Sequence, residues 1–176
     1  MLRRLNMRRP ALMLMLAVFA SSFVVRAQDG TSTRPNDSSP SPQEFSMRAL
    51  RAEPGKPSLY EVRFTPADTL AAQAELIFEF SSALDLRQLE VASSTTINGG
   101  FKITRERNVV RVRRTGLGAA VPPGRPVELK LGLIISPATL AGNLEVAFTQ
   151  MRASGTAVAG KKSYPIQFVP KSRSEN

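Results

Sequence analysis

The chain has 176 residues, with 24 Lys and Arg against 14 Asp and Glu and a formal charge of +10. It contains no Cys, His or Trp, which excludes disulfides, thiolate nucleophiles, Cys or His metal sites, imidazole acid–base catalysis and indole platforms for sugars. Hydrophobic residues make up 42% and charged residues 22%, an ordinary globular composition.

Residues 1–27 read as a secretory signal peptide. Arg3, Arg4, Arg8 and Arg9 form a positive n-region, 11–25 an apolar h-region, and Val25-Arg26-Ala27 a peptidase site with cleavage after Ala27. The apolar run is shorter than the ~20 residues of a spanning helix. Removal on export is therefore expected, leaving no transmembrane span and a periplasmic, cell-surface or secreted protein. Five of the basic residues lie in this segment, so beyond it 19 bases face 14 acids, a net of +5. That excess permits an anionic partner without demanding one, and it is too diffuse for nucleic acid.

Residues 28–57 are rich in Pro, Ser, Asp, Asn and Gly and are expected to form a disordered leader. Within it, Phe45, Met47 and Leu50 make a small apolar cluster able to dock as a short helix or edge strand. The folded domain is expected over 58–170, followed by a polar tail over 171–176.

Residues 59–64 and 74–80 alternate cleanly. The period of two turns Tyr60, Val62, Phe64, Leu76, Phe78 and Phe80 inward and Glu75 and Glu79 outward. Further strands are expected over 86–91, 100–104, 109–114, 127–134, 144–149 and 164–169. Turn residues separate them, among them Asn98-Gly99-Gly100, Arg107-Asn108, Pro122-Pro123-Gly124 and Ser136-Pro137. The spacing predicts an all-β fold, an immunoglobulin-like β-sandwich of about 7–9 short strands, with a closed barrel as the alternative. Residues 101–104 and 109–114 should form a hairpin around Arg105-Glu106-Arg107-Asn108.

That hairpin carries the candidate site. Lys102, Arg105, Arg107, Arg111, Arg113 and Arg114 fall within 13 residues. With Val110 and Val112 facing the core, Arg111 and Arg113 share the opposite face, about 7 Å apart along the strand. Lys102 and Arg105 or Arg107 would lie across the hairpin. Such a ladder can hold sulfate, phosphate or carboxylate groups. The same stripe also reads as a solvated face or as an edge protected by charge, neutralised by Glu75 and Glu79 across a strand pair. Other candidates are weaker. Glu75, Glu79, Asp85 and Glu90 have no spacing that makes a carboxylate pair. Gly116-Leu117-Gly118 lacks the Lys-Ser/Thr of a phosphate loop and reads as a turn. No S-x-x-K or G-x-S-x-G element is present. Tyr60, on the inward face, and Tyr164, before Pro165, read as packing residues or donors of a corner hydrogen bond. No enzyme activity, metal or cofactor is expected.

Residues 101–142 hold a strand, then Arg113-Arg114-Thr115-Gly116-Leu117-Gly118, Val121-Pro122-Pro123-Gly124, Val127-Glu128-Leu129-Lys130-Leu131 and Ser136-Pro137. This order resembles bacterial extracellular modules of the immunoglobulin-like and cohesin-like sandwich type. There a Gly-rich turn and a Pro-Gly turn lead into a long core strand. The resemblance implies extracellular adhesion or scaffold assembly, no catalysis and no obligatory cofactor. Neither a dockerin-type calcium loop nor a diagnostic cohesin motif accompanies it. The expected function is a non-catalytic binding or assembly module of the cell envelope or extracellular space, with an envelope or extracellular protein as partner. The alternative is a binder of acidic surface polysaccharide or lipid headgroups through the basic hairpin.

Overall fold

Period-two alternation carries through to the tertiary structure, a computed structural model that describes residues 44–140 and 143–170. The expected export signal, most of the expected leader and the expected polar tail lie outside the described residues. Nine strands form among those described: β1 (Phe45–Ala52), β2 (Pro57–Phe64), β3 (Glu75–Phe80), β4 (Val91–Ser93), β5 (Phe101–Glu106), β6 (Val109–Arg114), β7 (Val127–Ile135), β8 (Glu145–Met151) and β9 (Lys162–Pro170).

Hydrogen bonding runs in the order β4-β7-β2-β1-β9-β8-β3-β6-β5. One strand, β9, belongs to two layers. Its residues Lys162 to Pro165 pair antiparallel with β8, and Ile166 to Pro170 pair parallel with β1. Pro165 sits at the seam, where a residue without an N–H costs the ladders least. The result is an all-β sandwich of two sheets, β4-β7-β2-β1-β9 and β9-β8-β3-β6-β5. On the other side β4 comes close to β5.

The core is the set of inward residues between the layers. Met47, Ala49, Tyr60, Val62, Leu129 and Leu131 come from the first sheet, and Leu76, Phe78, Val110, Val112 and Val146 from the second. Tyr60 buries its ring and shares a hydrogen bond of 3.2 Å with the Ser136 hydroxyl. Tyr164 packs on Phe45, with ring centroids 4.4 Å apart. Both tyrosines are therefore packing residues, as their positions in the sequence suggest.

Two expectations are corrected. Within the expected leader 28–57, the cluster of Phe45, Met47 and Leu50 lies in β1, which is an internal strand between β2 and β9 and not the short helix or edge strand expected of it. Phe45, Met47 and Ala49 face the core opposite Phe64, Val62 and Tyr60. Average composition over a long window hides eight residues that alternate. Residues 86–91 are not a strand. Asp85 makes one bridge to Ile135, and its carboxylate then accepts the Arg87 N–H at 2.9 Å. That local bond turns the chain, and Leu86 and Leu89 are buried as turn residues instead. Only Val91–Ser93 remains as strand.

Candidate functional site

Register decides what the basic hairpin can do. Directly opposed residues of paired strands point to the same side of the sheet. Lys102 opposes Arg113, Thr104 opposes Arg111, and Ile103 opposes Val112. Lys102, Arg111 and Arg113 thus share the outer face of the second sheet, while Val110 and Val112 fill the core. Glu75 reaches Arg111 at 3.4 Å. Glu79 pairs instead with Lys161, outside the stripe, at 2.9 Å.

The other three cations do not join that face. Arg105 opposes Val110, and its guanidinium donates to the carbonyls of Leu86, at 2.8 Å, and Arg87. It ties the β5 edge to the segment preceding β4. Arg107 occupies the hairpin turn with a left-handed φ of 54°. Arg114 is the largest departure from expectation. It follows Val110 and Val112 in the inward register and is 2% exposed. Its guanidinium donates to the carbonyls of Leu70 (2.8 Å), Ala71 (2.9 Å), Asn98 (3.2 Å) and Ala119 (2.7 Å). Those carbonyls lie on three loops, β2–β3, β4–β5 and β6–β7. Burial pulls the Arg114 pKa down, but guanidinium stays charged inside proteins. The loops around it approach so closely that a Cβ on Gly99 would sit 1.7 Å from the Leu117 carbonyl oxygen. Arg114 is a structural clamp across these three loops.

No protein-family model matches the chain, and no curated protein matches it in sequence. Among solved structures it is similar to a cohesin module from a family 33 glycoside hydrolase of Clostridium perfringens. The identity is 15% and the TM-score 0.47, over 72% of this chain and 98% of that one. It is also similar to the sixth cohesin of Acetivibrio cellulolyticus scaffoldin B, solved with a dockerin mutant, at 14% identity and TM-score 0.46 over 72% and 99% of the two chains. An immunoglobulin-like protein from Nocardia farcinica matches at 14% identity and TM-score 0.42 over 70% and 97%. The likeness is one of fold.

A second surface emerges on the outer face of the first sheet. Leu50 opposes both Leu59 and Val169. Leu59 sits where β7 bulges, between the pairs Ser58–Ile134 and Tyr60–Leu131, so it faces Gly132 and Leu133. Gly132 opposes Val91. Val169, Leu50, Leu59, Leu133 and Val91 therefore form one apolar row across five strands. Leu59, Leu133 and Val91 are 38%, 43% and 49% exposed. Leu133 holds a φ of 67°, a strained conformation for a bulky residue. The bulge turns its side chain out to join the row. In the sequence these five residues are scattered over five strands, and the only signal is apolar side chains in outward register.

Beside this row runs a ladder of paired charges. Glu61 meets Arg48 at 2.5 Å and Arg63 at 3.0 Å, and Glu128 meets Arg63 and Lys130, each at 3.2 Å. Burial pushes the Glu61 carboxyl up, and Arg48, Arg63 and Lys130 more than offset it, so it ends below the usual range. The Arg87 side chain likewise draws Asp85 down to about 2, and Arg152 lowers Asp68. Carboxyls with depressed folded pKa values stabilise the fold above their unfolded pKa and lose that contribution as pH falls. The melting temperature should therefore be flat at neutral pH and fall as pH drops from 4.5 and 3.8, the ordinary Glu and Asp values, toward about 2. Calorimetry across that range tests this, and the limb should be shallower in Glu61→Gln. A melting temperature that stays constant down to the lowest pH would contradict it.

Proposed function

We propose that the chain is an exported, non-catalytic binding module that docks a protein partner on the outer face of β4-β7-β2-β1-β9. The exposed apolar row through Leu59 and Leu133 carries this reading. Contiguous apolar surface on a small domain favours association, and a bulky residue held at positive φ costs stability that a purely structural strand has no reason to bear. The neighbouring charges are already paired with each other, so the contact gains from apolar burial more than from attraction between net charges. Export rests on the first 27 residues, and the partner is accordingly an envelope or extracellular protein. A sugar or lipid polyanion finds less support. Of six clustered cations, three share a face, and one of those is paired with Glu75.

The test is affinity capture from the host's envelope and secreted fractions at low and high salt, comparing the wild-type chain with Leu59→Asp and Leu133→Gly. Wild type should retain the same partner at high salt, because apolar contacts are not screened. Leu59→Asp should lose it while changing stability by less than about 0.5 kcal/mol. Leu133→Gly should bind more weakly yet be more stable by about 1 kcal/mol, since glycine relieves the left-handed backbone. A partner captured equally by all three proteins would rule this surface out.

A further inference from the structure

Lys102 and Arg113 stand directly opposite each other in adjacent strands, both exposed. Like charges in that relation destabilise a sheet. Every other cation on this face has an acid: Arg111 has Glu75 and Lys161 has Glu79. Neither Lys102 nor Arg113 has an ion-pair partner among the described residues. Arg113 also opposes Glu75 across β3, but that carboxylate is engaged by Arg111.

The pair borders a recess of about 280 Å³ lined by Gln73, Lys102, Arg113, Arg114 and Thr115. Its polar groups are donors or can serve as donors. The Thr115 hydroxyl oxygen accepts the Gly100 N–H at 3.2 Å, which leaves its proton to give. Gln73 is seated by the next turn. The Gly116 N–H donates to the Ala72 carbonyl at 2.9 Å, and a Cβ on Gly116 would be 3.4 Å from the Gln73 amide nitrogen.

We propose that Lys102 and Arg113, with Thr115 and Gln73, form a clamp for a single oxyanion group presented by a partner. A guanidinium beside an ammonium suits a carboxylate, phosphate or sulfate, because each offers two or more acceptor oxygens. The site is one group wide. Arg111, in the next row of the same face, is taken by Glu75, and Glu79 and Glu106 flank Val109 in the row beyond it, where they would repel the further charges of an anionic polymer. The clamp lies on the sheet opposite the apolar row, so either surface can fail without the other.

The experiment is NMR of the isotopically labelled full chain, titrated separately with sodium phosphate, sulfate and acetate at constant ionic strength. Saturable shifts of the Arg113 Nε–H and of the Gly100 and Thr115 amides are expected. Affinity should drop about tenfold in Lys102→Gln and in Arg113→Gln, as for loss of one charge-assisted donor. Lys102→Gln should also melt at a higher temperature, because it relieves the like-charge contact. Tightest binding of acetate would assign the clamp to a carboxylate side chain, and of phosphate or sulfate to a modified group. Shifts that stay linear, or that persist unchanged in both variants, would overturn the proposal. So would heparin binding that survives both substitutions.

Discussion

Arg114→Met is expected to destabilise the domain by about 3–4 kcal/mol, measured by urea unfolding. Methionine approximates the length of the buried side chain and fills most of its space. It donates nothing, so the carbonyls of Leu70, Ala71, Asn98 and Ala119 each lose a charged donor. Replacing a buried ion pair by apolar residues is often harmless, because both charges leave together. Here the partners are backbone carbonyls that stay behind, although those of Leu70 and Ala71 each keep one bond, from the Val121 and Ala74 N–H groups at 3.0 Å. The cost is the loss of four charge-assisted bonds that tie three loops together. Arg114→Lys keeps the charge but cannot span carbonyls from three loops with one ammonium, so it should recover less than half of the loss. Amide exchange should accelerate first in the three loops. A loss below about 1 kcal/mol for Arg114→Met would mean the loops hold themselves and the clamp is redundant.

Phe148→Ala should cost about 3–5 kcal/mol, the range for deleting a buried aromatic ring. Phe148 is 2% exposed on β8 and opposes Phe78 within its own sheet. Its ring centroid lies 5.3 Å from Phe78, 4.7 Å from Phe45 and 5.1 Å from Phe64. Phe45 and Phe64 belong to the first sheet, so this ring joins the two layers. Their separation is set by β9 and by many other contacts, so the structure can close only part of the resulting cavity. Phe148→Leu retains most of the volume and should cost about 1–2 kcal/mol. Domains of this size are stable by roughly 5–15 kcal/mol. The alanine variant should therefore unfold at markedly lower urea with an unchanged slope. A cost no larger for Ala than for Leu would mean the sheets move together to fill the gap.

Strands were legible where apolar residues alternate within one segment, as in Tyr60, Val62 and Phe64 or Leu76, Phe78 and Phe80. Tyr60 could be placed for the same reason, and Tyr164 from its position before Pro165 in the last strand. β1 was obscured because its neighbours in sequence are Pro- and Ser-rich, although Phe45, Met47 and Ala49 carry the pattern. Residues 86–91 looked extended because Leu86, Leu89 and Val91 are apolar. The Asp85–Arg87 contact that turns the chain is a side-chain event with no periodic signature. Within the basic hairpin, Val110 and Val112 correctly placed Arg111 and Arg113 outside. The same rule applied one step further puts Arg114 inside, which a count of clustered charges overlooks.

By itself, the sequence determined the all-β class, most of the strands, the hairpin and the outward direction of Lys102, Arg111 and Arg113. These depend on local alternation, and a period of two is a property of neighbouring residues. The tertiary structure alone decided which charges meet and which remain unpaired. It placed Glu75 on Arg111, left Lys102 facing Arg113, and buried Arg114 among three loops. It also aligned Val169, Leu50, Leu59, Leu133 and Val91 into one row. Each of these depends on strand order and register, and register is set by the summed packing of distant segments, which no local pattern encodes.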